Sequence, residues 1–187
     1  MYKNDSKKSA YLFHNLVKPK LEELLKSEIN IIEEYEEDNS SMFRVSKELD
    51  MYSGVDGWRF DKVNQRHQYI ASRIQNTKNG FRPYDTFSIR ASRQNSKTEY
   101  EKRIYAIEND WLYPQLTIQT YLNENESEIL SLGIVYTREL FLYAKDNFEL
   151  LMSKAIKNKD NSSSFITISF TELQNNLDSK KIMIYKK

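Results

Sequence analysis

The chain has 187 residues, 39% hydrophobic and 29% charged, which is enough for one domain with a sizeable core and cramped for two. Its 28 basic and 27 acidic side chains nearly cancel, so no global charge draws the whole molecule to nucleic acid or membrane. The lack of cysteine excludes disulfides and thiolate metal sites, and no apolar run is long enough to cross a bilayer. The first ten residues lack the apolar stretch of a signal peptide, and the expectation is a cytoplasmic protein without membrane contact.

From residue 9 to 37, Leu12, Leu16, Leu21, Leu24, Leu25, Ile29 and Ile32 recur at helical spacing, and Pro19 is placed to divide or kink that helix. The turn-forming run DNSS at 38–41 closes it. The period then changes to that of strands over 54–60, 67–75 and 84–91, with Phe87 and Ile89 alternating against Thr86, Ser88 and Arg90. These three are expected to be adjacent in one sheet. A helix over 96–107 follows, opened by Ser96 or Thr98 with Glu99 or Glu101 in its first turn. Strands at 115–122 and 129–136 come next, joined by the polar run NENESE as a hairpin. A helix over 137–157, a loop to 164, a strand at 165–170 and a fraying lysine-rich end complete the chain. This order predicts an α+β fold, three-layered in the manner of α/β proteins, with a mixed central sheet flanked by helices.

Charge is segregated. Residues 22–50 hold ten acids against three bases, whereas residues 66–103 hold nine bases against three acids. Solvated faces that balance one another would give such a pattern; so would a phosphate-binding middle beside an acidic arm that meets a partner. Tyr69, Phe81, Tyr84, Phe87 and Tyr100 interleave with the basic run, as rings that stack on bases would, although core packing is the commoner fate of such residues.

The succession LDMYSGVDGW, IASRIQ, DTFSIRAS, KTEYEKR, LTIQTYL and LSLGIVYTRELF resembles the PD-(D/E)XK, or restriction-endonuclease-like, superfamily, in particular its small divergent phage and mobile-element members. The resemblance spans roughly residues 49–145 and lies in element order with one aspartate. It implies a nuclease-like core over 42–157 within a single domain of 1–187, preceded by an acidic helical arm to residue 41 and followed from 158 by a strand and basic tail. It also implies a two-part site, in which an aspartate at the second core strand and the acid of a (D/E)-x-K tripeptide on the third hold Mg²⁺ for phosphodiester hydrolysis. Asp56 matches the first position. The tripeptide falls on Ala71-Ser72-Arg73 or Arg73-Ile74-Gln75, and neither offers a carboxylate. Asp50, Glu22 and Glu23 are the candidates to replace it, with Asp85 and Glu99 further off.

On this reading Asp56, Arg73 and Gln75 form the catalytic cluster and Asp56 and Asp50 the metal pair. Arg66, Arg73, Arg90, Arg93, Lys97 and Arg103 contact nucleic acid, DNA rather than RNA. Mg²⁺ is the cofactor if the chain is an active nuclease, and there is none otherwise. Because arginine can neutralise an aspartate as Mg²⁺ would, Asp56 is expected beside the Arg73 guanidinium or the Gln75 amide. The second reading is a non-enzymatic phage or mobile-element inhibitor that binds a host or defence protein through its acidic arm. His14 and His67 are the only histidines, which argues against an all-protein zinc site. No phosphate-loop, dinucleotide or nucleophile-elbow motif occurs. Oligomeric state is not encoded in any pattern of the chain.

Overall fold

A computed structural model describes residues 8–31, 54–76, 85–94, 96–158 and 160–187. Within them the chain is α+β. Helix α1 runs over 8–25, with a π-helical turn at Phe13–Val17 leading into the α-helical stretch Lys18–Leu25. Pro19 has no N–H to donate to the preceding turn, and the ladder widens just before it instead of breaking. The helix ends at Lys26, in left-handed conformation (φ 49°). Ile29–Ile31 is then strand β1, which corrects the helical segment expected to run on to residue 37; residues 32–37 lie outside the described residues. The Glu22 carboxylate accepts the Ile29 amide at 2.9 Å and ties the helix to the strand.

β2 (Gly57–Asp61) and β3 (Arg66–Asn76) form an antiparallel hairpin. Asp61 builds its turn by accepting the amides of Val63 and Asn64 and the Asn64 side chain. β4 (Thr86–Arg93) leaves this sheet, so the expectation that it lies beside β3 is corrected. Helix α2 (Glu99–Glu108) opens with a full capping box in which Thr98 and Glu101 satisfy each other's backbone amides. β5 (Leu116–Leu122) pairs parallel with β3 after the α2 crossover, and β6 (Ile129–Tyr136) returns antiparallel to β5 as the expected hairpin.

The helix expected over 137–157 is two helices, α3 (Thr137–Asp146) and α4 (Phe148–Ser153), followed by the short strand β7 (Ile156–Lys157). Asn147 separates them because its side-chain amide takes the Tyr143 carbonyl at 2.9 Å. β8 (Ser163–Ser169), helix α5 (Phe170–Asn176) and β9 (Ile182–Lys186) follow, the last two where a fraying tail was expected.

The central sheet is ordered β1-β2-β3-β5-β6-β9, and a second sheet is ordered β4-β8-β7. Alternation divides the central sheet's side chains between two cores. Ile70, Leu116, Ile118, Leu132 and Ile134 pack under Phe13, Val17 and Leu21 of α1. On the other face Tyr121, Val135 and Ile182 meet Phe87, Ile89, Ile166 and Ile168 of the second sheet together with Leu140, Phe141 and Ala144 of α3. The layer on that face is therefore sheet and helix together. Gly133 marks the closest approach: a Cβ there would lie 2.6 Å from the Phe170 ring and 2.7 Å from that of Phe87. No helix among the described residues is long and apolar enough to cross a membrane.

Candidate nucleic-acid interface

Where β4 crosses the inner face of β3 and β5, the two sheets meet through polar side chains. Arg73, on the face of β3 opposite α1, donates to the Ser88 carbonyl at 2.5 Å and to its hydroxyl at 3.1 Å. The same guanidinium donates to Glu99 Oε2 at 2.8 Å. That oxygen also accepts the Arg90 amide at 3.2 Å, so one carboxylate joins β3, β4 and the first turn of α2. Gln119 and Tyr121 continue the seam along β5, by hydrogen bonds to Ser88 and to the Thr86 carbonyl.

A cleft of about 340 Å³ opens beside this seam, lined by Arg73, Arg90, Arg93, Lys97, Lys102 and Arg103 against two acids, Asp56 and Glu99. Arg90 lies over the Phe165 ring of β8, 5.2 Å from its centroid. Arg103 is only 7% exposed. Burial pushes its guanidinium below the ordinary arginine value, while the Glu99 and Asp56 charges pull it back up. It donates to the Gly54 carbonyl at 3.2 Å. Gly54 has φ +54°, a conformation that favours glycine, and a Cβ there would sit 2.5 Å from Arg103 Nη2 and displace that guanidinium. Arg93 and Lys97 are exposed at the rim, and among the described residues neither is in a salt bridge.

Asp56 also lines the cleft. The register of β2 on β3 begins at Gly57 opposite Ile70, so Ser72 has no β2 residue across from it. Asp56 fills that place: its amide donates to the Ile70 carbonyl at 2.8 Å and its Oδ2 accepts the Ser72 amide at 2.5 Å. The carboxylate thus stands in for a strand partner.

Comparison with protein-family models, with curated proteins and with solved structures gives no match. The site is accordingly read from its own chemistry.

Asp56 and Arg73 line one cleft, but the Arg73 guanidinium is turned to Ser88 and Glu99, where the sequence suggested Asp56. Gln75 is exposed, and its side-chain oxygen accepts from Gln119 Nε2 at a long 3.5 Å. Arg90, Arg93, Lys97 and Arg103 come together in the cleft as the basic run suggested. Arg66 does not line it: it lies at the start of β3, opposite Asp61 in the hairpin. Lys102 was the basic residue passed over, and its place one residue before Arg103 on α2 was the available signal. The central role of Glu99 had no sequence signal beyond its position in a first helical turn.

Asp50 lies outside the described residues, as do Phe81, Tyr84 and the stretch 32–50 that holds most of the acidic arm. Glu22 and Glu23 belong to α1, packed on the opposite face of the central sheet, where Glu22 holds the Ile29 amide and Glu23 pairs with Lys20. Asp85 pairs with Lys186 at 2.6 Å. His67 packs edge-on against Trp58 and Phe60, and Tyr100 stacks on Phe148.

A Mg²⁺ ion needs several oxygen donors that are free of competing cations. Among the described residues no three His, Asp or Glu side chains cluster in that way. The two carboxylates that line the cleft already accept hydrogen bonds, one from the Ser72 amide and the other from Arg73 and the Arg90 amide. This donor set does not fit the ion. It fits an anion.

Proposed function

We propose that the chain is a nucleic-acid-binding protein of restriction-endonuclease-like descent whose catalytic site is degenerate, and that it grips the sugar-phosphate backbone in the cleft between β3, β4 and α2. One observation carries this reading: among the described residues six basic side chains converge on a concavity with two acids, and Arg93 and Lys97 stand outside any salt bridge. Phosphate oxygens take bidentate hydrogen bonds from guanidinium groups, and a buried or side-pinned arginine loses little freedom in making them. Arg73 is pinned by Ser88 and Glu99, and Arg90 rests over Phe165. Descent is supported by placement alone. Asp56 directly precedes the second strand and the stretch Ala71–Gln75 lies on the third, with the tripeptide's acid replaced by a backbone amide that holds Asp56.

The test is fluorescence anisotropy of labelled DNA across a salt series, with wild type and the Arg90→Ala/Arg93→Ala double variant. Removing two phosphate contacts is expected to flatten the slope of log K against log salt by roughly 1.4 to 1.8 units. Unchanged affinity and slope reject the cleft. Incubation of the same DNA with Mg²⁺, Mn²⁺ or EDTA examines the catalytic half: metal-dependent cleavage abolished by Asp56→Asn would replace the degenerate reading with an active nuclease.

A further inference from the structure

Trp111 is 62% exposed, Leu112 45% and Tyr105 43%, a concentration of open apolar area at one end of α2. Large rings left in water side by side need a reason. Tyr105 and Trp111 are set edge to face with centroids 5.1 Å apart. Their backbone is fixed: the Trp111 amide donates to the Ala106 carbonyl at 2.9 Å, and Asn109 closes the helix on the Tyr105 carbonyl. These rings also adjoin the basic cleft, because Lys97 lines it and its ammonium lies 5.2 Å from the Tyr105 centroid. Glu101 and Tyr105 lie four residues apart on the exposed side of α2, and Lys97, just before its N-cap Thr98, is exposed as well. The acid among them, Glu101, is occupied by the Thr98 amide and hydroxyl, which hold its carboxyl below the usual range.

On the strength of the cleft reading above, we infer that the ligand is single-stranded nucleic acid, its phosphates in the cleft and an adjacent base stacked on the Trp111 ring, which Tyr105 holds in place edge to face. A positive groove continuous with fixed, exposed rings is the arrangement that holds single strands, because every unpaired base offers a face to stack. In a duplex those faces are covered by neighbouring base pairs, so a platform of this kind would go unused. Trp111 supplies the larger ring and Lys97 bridges from platform to phosphate.

Binding of a short oligothymidylate and of a fully paired two-strand duplex is compared for wild type, Trp111→Ala and Trp111→Phe. Loss of one stacked base is expected to weaken the single strand roughly tenfold in Trp111→Ala, with partial rescue by Trp111→Phe and no change for duplex. Tryptophan fluorescence of the wild type is expected to be quenched by the oligonucleotide, and most of that quenching is expected to vanish in Trp111→Phe. Salt-dependent binding that Arg90→Ala/Arg93→Ala weakens and Trp111→Ala leaves intact would overturn the platform and spare the cleft. Equal loss for duplex and single strand would overturn the single-strand assignment. Absence of binding by the wild type to either nucleic acid would overturn both.

Discussion

Replacing Glu99 by glutamine should make the protein less stable and its hold on nucleic acid tighter. Glu99 Oε2 accepts from Arg73 Nη2 at 2.8 Å and from the Arg90 amide at 3.2 Å, and its side chain is 26% exposed. Glutamine keeps the shape and one acceptor but surrenders the charge, so the arginine bond falls from charge-assisted to ordinary. A charge-assisted bond contributes about 1.5–3 kcal/mol and a neutral one about 1, which puts the loss near 1–1.5 kcal/mol for a partly exposed pair. With a urea slope of about 2 kcal/mol/M the midpoint should fall by roughly 0.5–0.75 M. In the cleft the same change leaves Asp56 as the one described acid beside six bases. Removing a unit charge some 7 Å from a phosphate, at an effective dielectric between that of water and that of a protein surface, is worth roughly 1 kcal/mol, or about a fivefold tighter Kd at low salt. Urea melts and anisotropy titrations on one preparation read both effects. If Glu99→Gln binds more weakly while remaining folded, Glu99 is contributing to ligand binding as an acid, for instance as a metal ligand, and the electrostatic account of the cleft fails.

Gly133→Ala should cost about 1–3 kcal/mol, because its Cβ would press on the rings of Phe87 and Phe170 where the two sheets approach most closely; a melting temperature equal to wild type would show that those rings can yield. Thr98→Ala removes half of the capping box of α2 and should lower stability by about 1 kcal/mol, seen as a reduced urea midpoint with unchanged slope. Tyr143 donates to Glu172 at 2.7 Å, and burial with that bond raises its phenol from 10.0 to about 12. Its folded form binds the proton more tightly than the unfolded chain does, so this stabilisation is whole below pH 10 and is lost as the pH rises towards 12. Tyr143→Phe should therefore flatten the fall of stability across that window; a curve that superimposes on wild type would remove Tyr143 from the account.

β2, β3, β5 and β6 were legible as short apolar and aromatic runs bounded by polar turns, and so was the start of α2, because Thr98 and Glu101 stand at the capping-box spacing. β1 was hidden by coincidence: Leu21, Leu25 and Ile29 fall four apart, so a strand residue continued a helical series across the left-handed turn at Lys26. β9 was masked by the lysines at and around its ends, Lys180, Lys181, Lys186 and Lys187, while Ile182 and Ile184 pack inward. Alternation in β4 declared a strand but not its sheet, since Phe87 and Ile89 would be buried in either. At the site the basic residues were legible as a run. The partner of Arg73 was not, because Glu99 lies twenty-six residues away and reaches it only through the crossing of β3 by β4. Nor could a carboxylate's use as a stand-in strand be inferred for Asp56, since that depends on where β2 stops.

β4 pairs only with β8 among the described strands, Thr86 opposite Ser169 and Arg90 opposite Phe165, whereas the hairpins β2–β3 and β5–β6 close over short turns. Bringing β4 to β8 closes a far longer loop than either hairpin does, and long-range pairing of this kind sets the slow steps of folding. The wall of the cleft that carries Arg90 therefore belongs to the part of the molecule that assembles late. In refolding from urea, recovery of ligand binding should lag recovery of far-ultraviolet dichroism; coincident traces would mean that the two sheets form as one.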